Sequence, residues 1–382
     1  MDPVYFTKHL LCKNGNLEDR SRMKPLNLTR RQLGQLGVSV IAAASLPAHA
    51  QNKRPYLADM HSHYGQFLPR LFGFDLTRHM QETGATLLAW AVTDDHRWIA
   101  LQRGGWKQTK VPESGELWDS FQKRLASYEE RLQKWAVSKA LNPADVDAAL
   151  AGQPRVLLAT EGANFLEGQV GRVAQAHAWG VRHMQLVHFI QSPLGDHQTA
   201  EPRHGGLTTL GAQVVAECKR VGILVDLAHS TPAFVDGALD ASDAAMVWSH
   251  SWISPQGGNW MDSGYLARSL SPVAAKKIAA RGGAVGLWTV RVQGDPAYPV
   301  HSVKTYADEI IRMSELLGPE HVAFGTDMEG AGPGPILANY VDLREVADNL
   351  VKRGVSETIL DNIFIGNYAR IVKAAMTGAA KT

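Results

Sequence analysis

Tyr56-Leu57-Ala58-Asp59-Met60-His61-Ser62-His63 is a short apolar run that ends in two histidines. Runs of this length between polar boundaries read as buried strands. Seven more follow, so that strands are predicted near residues 56–60, 85–92, 155–160, 183–187, 222–227, 244–249, 283–289 and 321–326. Amphipathic stretches alternate with them. Asn142-Pro143, Ser271-Pro272 and Thr208 each place a cap or a first-turn proline before an apolar-periodic run. Eight strands alternating with helices predict an α/β fold, a (β/α)8 TIM-type barrel, with a doubly wound open sheet as the alternative. The longest amphipathic stretch, 116–140, is charged on one side through Lys123, Arg124, Glu129, Glu130 and Arg131, which places it on the outside of the fold. With 142–150 it forms a helical insertion after the second strand.

The polar residues fall at the ends of these runs. His61 and His63 follow the first strand, Glu161 the third, His188 the fourth, His229 the fifth, His250 the sixth and Asp327 the eighth. In a barrel this is the C-terminal rim, where active sites collect. Each residue alone has a structural explanation: a strand-end histidine is usually satisfied by hydrogen bonds, and Asp327 after Gly325-Thr326 could cap a turn. Seven on one rim point instead to a metal site.

Cys12 and Cys218 are the only cysteines, with no CxxC or Cys/His ribbon, so any metal must be held by His and carboxylate. Cys218, in a helical pattern, reads as a buried inert thiol. In His61-Ser62-His63, positions i and i+2 point to one face, so both imidazoles can reach one cation. A carboxylate such as Glu161 can bridge two cations, and His229 with His250 would complete the second. Three or fewer protein ligands per metal is the mark of a catalytic zinc site. Two such metals would lower the pKa of a bridging water and polarise a carbonyl. His79, His96, His177, His183, His197, His204, His301 and His321 read as helix, outward-strand or loop residues without a ligand role.

The 382 residues are 20% charged and 45% hydrophobic, with 39 Lys+Arg against 37 Asp+Glu. This composition argues against disorder and against a basic nucleic-acid binder. Thr29-Arg30-Arg31-Gln32-Leu33 leads into a weakly apolar run over 33–46 and then Ala48-His49-Ala50. A charged region, a short apolar region and a small-x-small site predict an export signal over 1–50, of twin-arginine type, cleaved after Ala50. The run contains Gly34 and Gly37 and falls short of the roughly 20 residues that span a bilayer, so no stable membrane anchor is expected. Residues before Met23 suggest a misassigned start. Cleavage leaves one hydrolase domain over 51–382, with 32 basic and 34 acidic groups.

From Tyr56 to Val372 the sequence resembles the membrane (renal-type) dipeptidases, a metallopeptidase family within the amidohydrolase superfamily. The resemblance rests on the order and separation of several motifs. They are Asp59-Met60-His61-Ser62-His63, Glu161-Gly162, Leu186-Val187-His188, Gly206-Leu207-Thr208, Asp226-Leu227-Ala228-His229-Ser230, Ser249-His250-Ser251, Arg268-Ser269-Leu270-Ser271, Gly325-Thr326-Asp327-Met328-Glu329-Gly330 and Gly366-Asn367-Tyr368. It implies that Glu161 bridges two zinc ions, that His61 serves the first, and that His229 and His250 serve the second. It implies that His188 binds substrate and stabilises the oxyanion, that Arg268 grips the C-terminal carboxylate of a dipeptide, and that Asp327 is the acid/base. Asp59 either orients a ligand or is a strand-end hydrogen-bond acceptor. Where the family usually has His-x-Asp, this sequence has His61-x-His63, which makes the site one unit less negative. The stretch 251–267, with Trp252, Gly257, Gly258 and Trp260, is expected to be longer than the family's usual segment; it either reshapes the substrate pocket or is a solvated excursion.

The expectation is a periplasmic enzyme that hydrolyses the peptide bond of dipeptides by a metal-bridging hydroxide, with about two Zn2+ per chain. The alternatives are another amidohydrolase-type hydrolase acting on a lactone, an amide or a deaminase substrate, and a non-catalytic periplasmic metal- or ligand-binding protein. No nucleic-acid or membrane partner is expected, and the resemblance implies a possible homodimer.

Overall fold

The eight apolar runs become eight parallel strands of one sheet. The strands, in chain order, are β1 (Leu57–Ser62), β2 (Ala85–Thr93), β3 (Ile99–Gln102), β4 (Gly105–Gln108), β5 (Ser138–Lys139), β6 (Arg155–Glu161), β7 (Val181–Gln185), β8 (Leu224–Asp226), β9 (Val247–Ser251), β10 (Ala284–Leu287) and β11 (Val322–Phe324). The helices are α1 (Leu76–Thr83), α2 (Glu116–Lys134), α3 (Pro143–Leu150), α4 (Gly171–Ala178), α5 (Thr209–Val221), α6 (Pro232–Ala241), α7 (Pro272–Ala280), α8 (Val303–Leu317), α9 (Asp342–Lys352), α10 (Glu357–Asp361) and α11 (Asn367–Thr377). This computed structural model describes residues 55–378 except 67–73, 104, 263, 292–297 and 331–334. The expected export signal therefore lies outside the described residues. No described helix is long and apolar enough to cross a membrane.

The sheet order β1-β2-β6-β7-β8-β9-β10-β11 follows the chain, and the result is a nearly closed, TIM-type barrel rather than an open doubly wound sheet. The last seam, between β11 and β1, is closed by the residues just beyond them. Asp327 N donates to His61 O (3.0 Å), and His63 N donates to Met328 O (3.0 Å). An eight-stranded barrel has little room inside. Small side chains accordingly line the interior (Ala58, Ala89, Ala91, Ala159, Ala284, Ala323), and α11 contributes Tyr368, Ile371 and Val372 to the same cluster. Larger residues such as Trp90, Met184, Val225 and Phe324 belong to the outer core with the helices.

Helix starts follow the sequence. Asn142 Oδ1 accepts from Ala144 N and Asp145 N, Thr208 Oγ1 from Gly211 N, and Ser271 Oγ from Ala274 N. The long helix is shorter than the expected 116–140. It stops at Lys134, Ala136 turns into the left-handed region (φ 53), and Ser138–Lys139 pairs with β6 as β5. It still forms the insertion after β2. Strand β7 begins and ends two residues before the expected 183–187.

One histidine lies elsewhere than expected. His183 is inside the barrel, because its register with Ala159 and Leu224 puts it in an inward row. There His183 Nδ1 lies 2.7 Å from Tyr368 OH and Nε2 3.2 Å from Asp226 Oδ2. It is a buried interior histidine, hydrogen-bonded through Nδ1 to Tyr368, with Nε2 facing the Asp226 carboxylate rather than solvent.

Candidate metal centre and active site

All the rim residues singled out by sequence converge at the C-terminal end of the barrel. His61 Nε2 and His63 Nε2 are 3.2 Å apart, and lie 3.4 and 3.3 Å from the two oxygens of Glu161 at the end of β6. Asp327 Oδ1 is 3.6 Å from His63 Nε2 and 3.9 Å from His61 Nε2. Across Glu161, His229 Nε2 and His250 Nε2 are 3.2 Å apart, with Glu161 Oε1 at 3.8 and 4.0 Å. Two potential ligand groups result, His61-His63-Glu161-Asp327 and Glu161-His229-His250, joined by one carboxylate.

The donor set fits divalent cations. Neutral imidazole and carboxylate suit zinc, and every group here is buried. In each imidazole pair two ring nitrogens face each other at 3.2 Å, where at most one proton can sit between them. Asp327 Oδ1 is buried with no hydrogen-bond partner. Arg268 Nη2 lies 3.2 Å from His250 Nε2, and a guanidinium can only donate, so that nitrogen carries a lone pair and His250 Nδ1–H donates to Ser249 Oγ (2.7 Å). A cation shared by such lone pairs is the partner that the protein itself does not supply.

Backbone strain marks the same residues. His229 (φ 70) and Asp327 (φ 52) adopt the left-handed conformation, which costs a non-glycine residue about 1–2 kcal/mol. Hydrogen bonds hold both: Gln198 N donates to His229 O (2.7 Å), and Asp327 N to His61 O. Gly330 closes over the cluster. A Cβ there would stand 2.2 Å from Asp327 Oδ1 and 2.5 Å from His63 Cδ2. Gly330→Ala is therefore expected to push the Asp327 carboxylate aside and to weaken divalent-metal binding about tenfold or more. The check is chelator competition on protein whose far-ultraviolet spectrum is unchanged.

The protein's own charges tune the cluster. Burial alone raises the Glu161 pKa, but His188, His61 and His63 overcome it and hold the carboxyl well below its usual range. Burial lowers the His188 pKa, but Asp95 and Glu161 prevail and push it up to about 10. Burial, with Arg268 and neighbouring imidazoles, holds His229 and His250 well below the ordinary histidine value, so both are neutral and ready to accept a cation. Burial, reinforced by Glu161 against the opposing imidazoles, raises Asp327.

Sequence reading missed several partners. Asp95, just after β2, accepts from His188 Nδ1–H (2.7 Å) and from Phe189 N (3.0 Å), leaving His188 Nε2 aimed at Glu161 Oε1 (3.1 Å). Thr93 Oγ1 donates to Glu161 Oε2 (2.9 Å). Asp226 lies with His61 and His250 in a third group of potential ligands, although its Oδ1 already accepts from Ala228 N and Ser249 N and its Oδ2 faces His183 Nε2. Thr93 and Asp95 close an apolar run as the other site residues do, so the signal existed. Asp59 touches no imidazole. It accepts from His61 N, Thr326 N, Thr326 Oγ1 and Tyr340 OH, as a strand-end acceptor that ties β1 to the loop after β11.

Arg268 is 4% exposed and forms no ion pair among the described residues. Its guanidinium lies 5.6 Å from the Trp288 ring centroid and 6.0 Å from that of Phe189, and Nε has no hydrogen-bond partner. The stretch before it resolves into two parts: its base is core, with Trp252 buried against Trp288, while Trp260 and Met261 at its tip are exposed.

A sequence model of the membrane dipeptidases, peptidase family M19, matches residues 73–382. The chain belongs to the membrane dipeptidase family. The matched span begins after β1, so His61 and His63 lie before it. Dipeptidase aclJ of Aspergillus oryzae (strain ATCC 42149 / RIB 40) is 30% identical over 238 residues, 58% of this chain and 51% of that protein. Dipeptidase 3 of Macaca fascicularis is 25% identical over 274 residues, 70% of this chain and 53% of that protein. The chain thus spans about half the length of the curated relatives it matches. A metallopeptidase of Rhodobacter sphaeroides, solved with a phosphinate mimic of the dipeptide L-Ala-D-Ala, superposes with a TM-score of 0.70 at 18% identity, covering 84% of this chain and 99% of that one. At that identity the likeness is one of fold.

Proposed function

We propose that this membrane dipeptidase family member is a zinc-dependent dipeptidase. The observation that carries the substrate class is Arg268, a buried guanidinium beside the ligand cluster with no carboxylate partner of its own among the described residues. A buried charge is costly unless paired, so the site is built to receive an anion at one fixed distance from the reacting centre. The free carboxylate of a dipeptide supplies it, and the dipeptide mimic bound by the Rhodobacter metallopeptidase supports that class.

His61, His63, Glu161, His229 and His250 would hold two zinc ions, with Glu161 between them. When bound, the metals would lower the pKa of water and polarise the scissile carbonyl. Arg268 Nη2, 3.2 Å from His250 Nε2, stands beside the ligand cluster and would donate to the substrate carboxylate. His188, oriented through Nδ1 by Asp95, presents Nε2–H to the developing oxyanion. Asp327 Oδ1, with no hydrogen-bond partner, is placed to take a proton from the attacking water and to return it to the leaving amine.

The test is metal content by elemental analysis together with release of free amino acids from a mixed dipeptide panel. About two zinc per chain with release is expected. One metal or none, without release after zinc is restored, sinks the reading. We further infer that residues 1–50 direct twin-arginine export to the periplasm, leaving 51–382 as the hydrolase domain, and, from the family resemblance, that a homodimer is possible. Amino-terminal sequencing of the exported protein and its mass in solution test these points.

A further inference from the structure

We propose that Gln66, locked by Tyr128 and Arg124 from the insertion helix α2, is the positioning residue that fixes the His63 ring with its Nε2 lone pair toward the metal. The inference rests on the reading of His63 as a ligand. A histidine that binds through Nε2 must keep its proton on Nδ1, and an acceptor at Nδ1 selects that tautomer. Gln66 Oε1 lies 3.4 Å from His63 Nδ1.

Which end of the Gln66 amide faces His63 follows from its other contacts. Gln66 Nε2 lies 3.2 Å from Ala91 O, a carbonyl that can only accept, so the NH2 group must point there and Oε1 toward His63. Tyr128 OH donates to the same Oε1. The direction of that hydroxyl is set in turn by Arg124 Nη2, which lies 3.2 Å from Tyr128 OH and can only donate. Arg124 takes the hydroxyl's lone pair, and of the two acceptors left for the hydroxyl's proton, Gln66 Oε1 is much closer than Ala91 O (3.4 Å). Oε1 then uses both of its lone pairs, one for Tyr128 and one for His63 Nδ1–H.

The backbone that carries Gln66 is held as firmly. Gln66 N also approaches His63 O (2.8 Å), and the Glu329 carboxylate accepts from Gly65 N (2.8 Å) and Gln66 N (3.1 Å). Gly65 supplies the left-handed turn (φ 74) that returns the chain beneath His63. Both Gln66 and Tyr128 are buried, at 7% and 3% exposure. The relay fits an imidazole at position 63, whose Nδ1–H needs an acceptor behind it when Nε2 serves a metal.

Zinc affinity and stoichiometry of the full-length protein, measured by chelator competition and elemental analysis, test the relay. Gln66→Leu is expected to weaken one of the two zinc sites by 10–100-fold, and Tyr128→Phe to weaken the same site by less. Gln66→Glu, which still accepts from both partners, should keep affinity within a few-fold. In a His63→Ala background, Gln66→Leu should cost nothing further. Unchanged affinity in both Gln66→Leu and Tyr128→Phe, while His63→Ala loses a zinc, overturns the relay and leaves the ligand reading standing. An equal loss on adding Gln66→Leu to His63→Ala also overturns it, because Gln66 would then act independently of the ring. Full zinc binding by His63→Ala overturns the ligand reading and the relay with it. Melting of the chelated variants separates misfolding from each of these results.

Discussion

Glu161→Ala is expected to abolish binding of the two proposed zinc ions together and to lower dipeptide turnover by at least about 10⁴-fold. The carboxylate stands between the two imidazole pairs, with one oxygen 3.4 Å from His61 Nε2 and the other 3.3 Å from His63 Nε2, and it is the residue common to both potential ligand groups flanking it. Its removal leaves each cation with neutral imidazoles as the main ligands and deletes the negative charge nearest to both. No other carboxylate among the described residues stands with both imidazoles of each pair. Asp327 approaches only the His61-His63 side, and Asp226 is spent on two backbone amides and His183.

The loss should be visible without any assay of activity. Zinc bound to the native state raises the melting temperature by mass action, so added zinc should shift the wild-type melt and leave Glu161→Ala almost unmoved. Glu161→Gln keeps the shape and the Thr93 contact but not the charge, and should fall close to alanine if charge is what holds the metals. A Glu161→Ala protein that retains two zinc per chain and full turnover would contradict the assignment of the whole centre.

The same geometry shows what can be read from a chain of letters. A barrel strand is a short apolar run with a polar residue at its exit, and His61, Glu161, His188, His229 and Asp327 are each reached by following one strand to its end. That signal is local, and it survives without coordinates. What it lacks is the second partner of each contact. Tyr128 lies twelve residues into a helix that reads as a charged outer face, and only packing against the barrel turns it toward Gln66. The His183–Asp226–Tyr368 chain joins two strands to the last helix across 185 residues. Its members look like an outward histidine, a strand-end carboxylate and a helical aromatic until register decides which way each one faces. Asp95 differs, since it follows a strand as the other site residues do and its role beside His188 is fixed by one 2.7 Å contact.

Arg268→Met is expected to lower kcat/KM for dipeptides by roughly 10²–10³-fold, about 3–4 kcal/mol, because the substrate carboxylate would then be buried without a partner. The comparison that gives this meaning is a matched pair of substrates, a dipeptide and its C-terminal amide. The wild type should strongly prefer the free acid, and Arg268→Met should erase that preference by losing the acid while the amide changes little. Arg268→Lys keeps the charge but not the planar fork, and should recover only part of the loss. Burial lowers the Arg268 pKa, and Asp327 and Glu161 oppose it, leaving a value of about 10; the guanidinium therefore stays charged through the neutral range and the preference should not vanish between pH 6 and 8. If acid and amide fell equally, Arg268 would be serving His250 and the aromatic wall of Trp288 and Phe189 rather than the substrate. If neither fell while Asp327→Asn still abolished hydrolysis, the hydrolytic centre would stand, and its substrate would be a lactone or amide that carries no carboxylate.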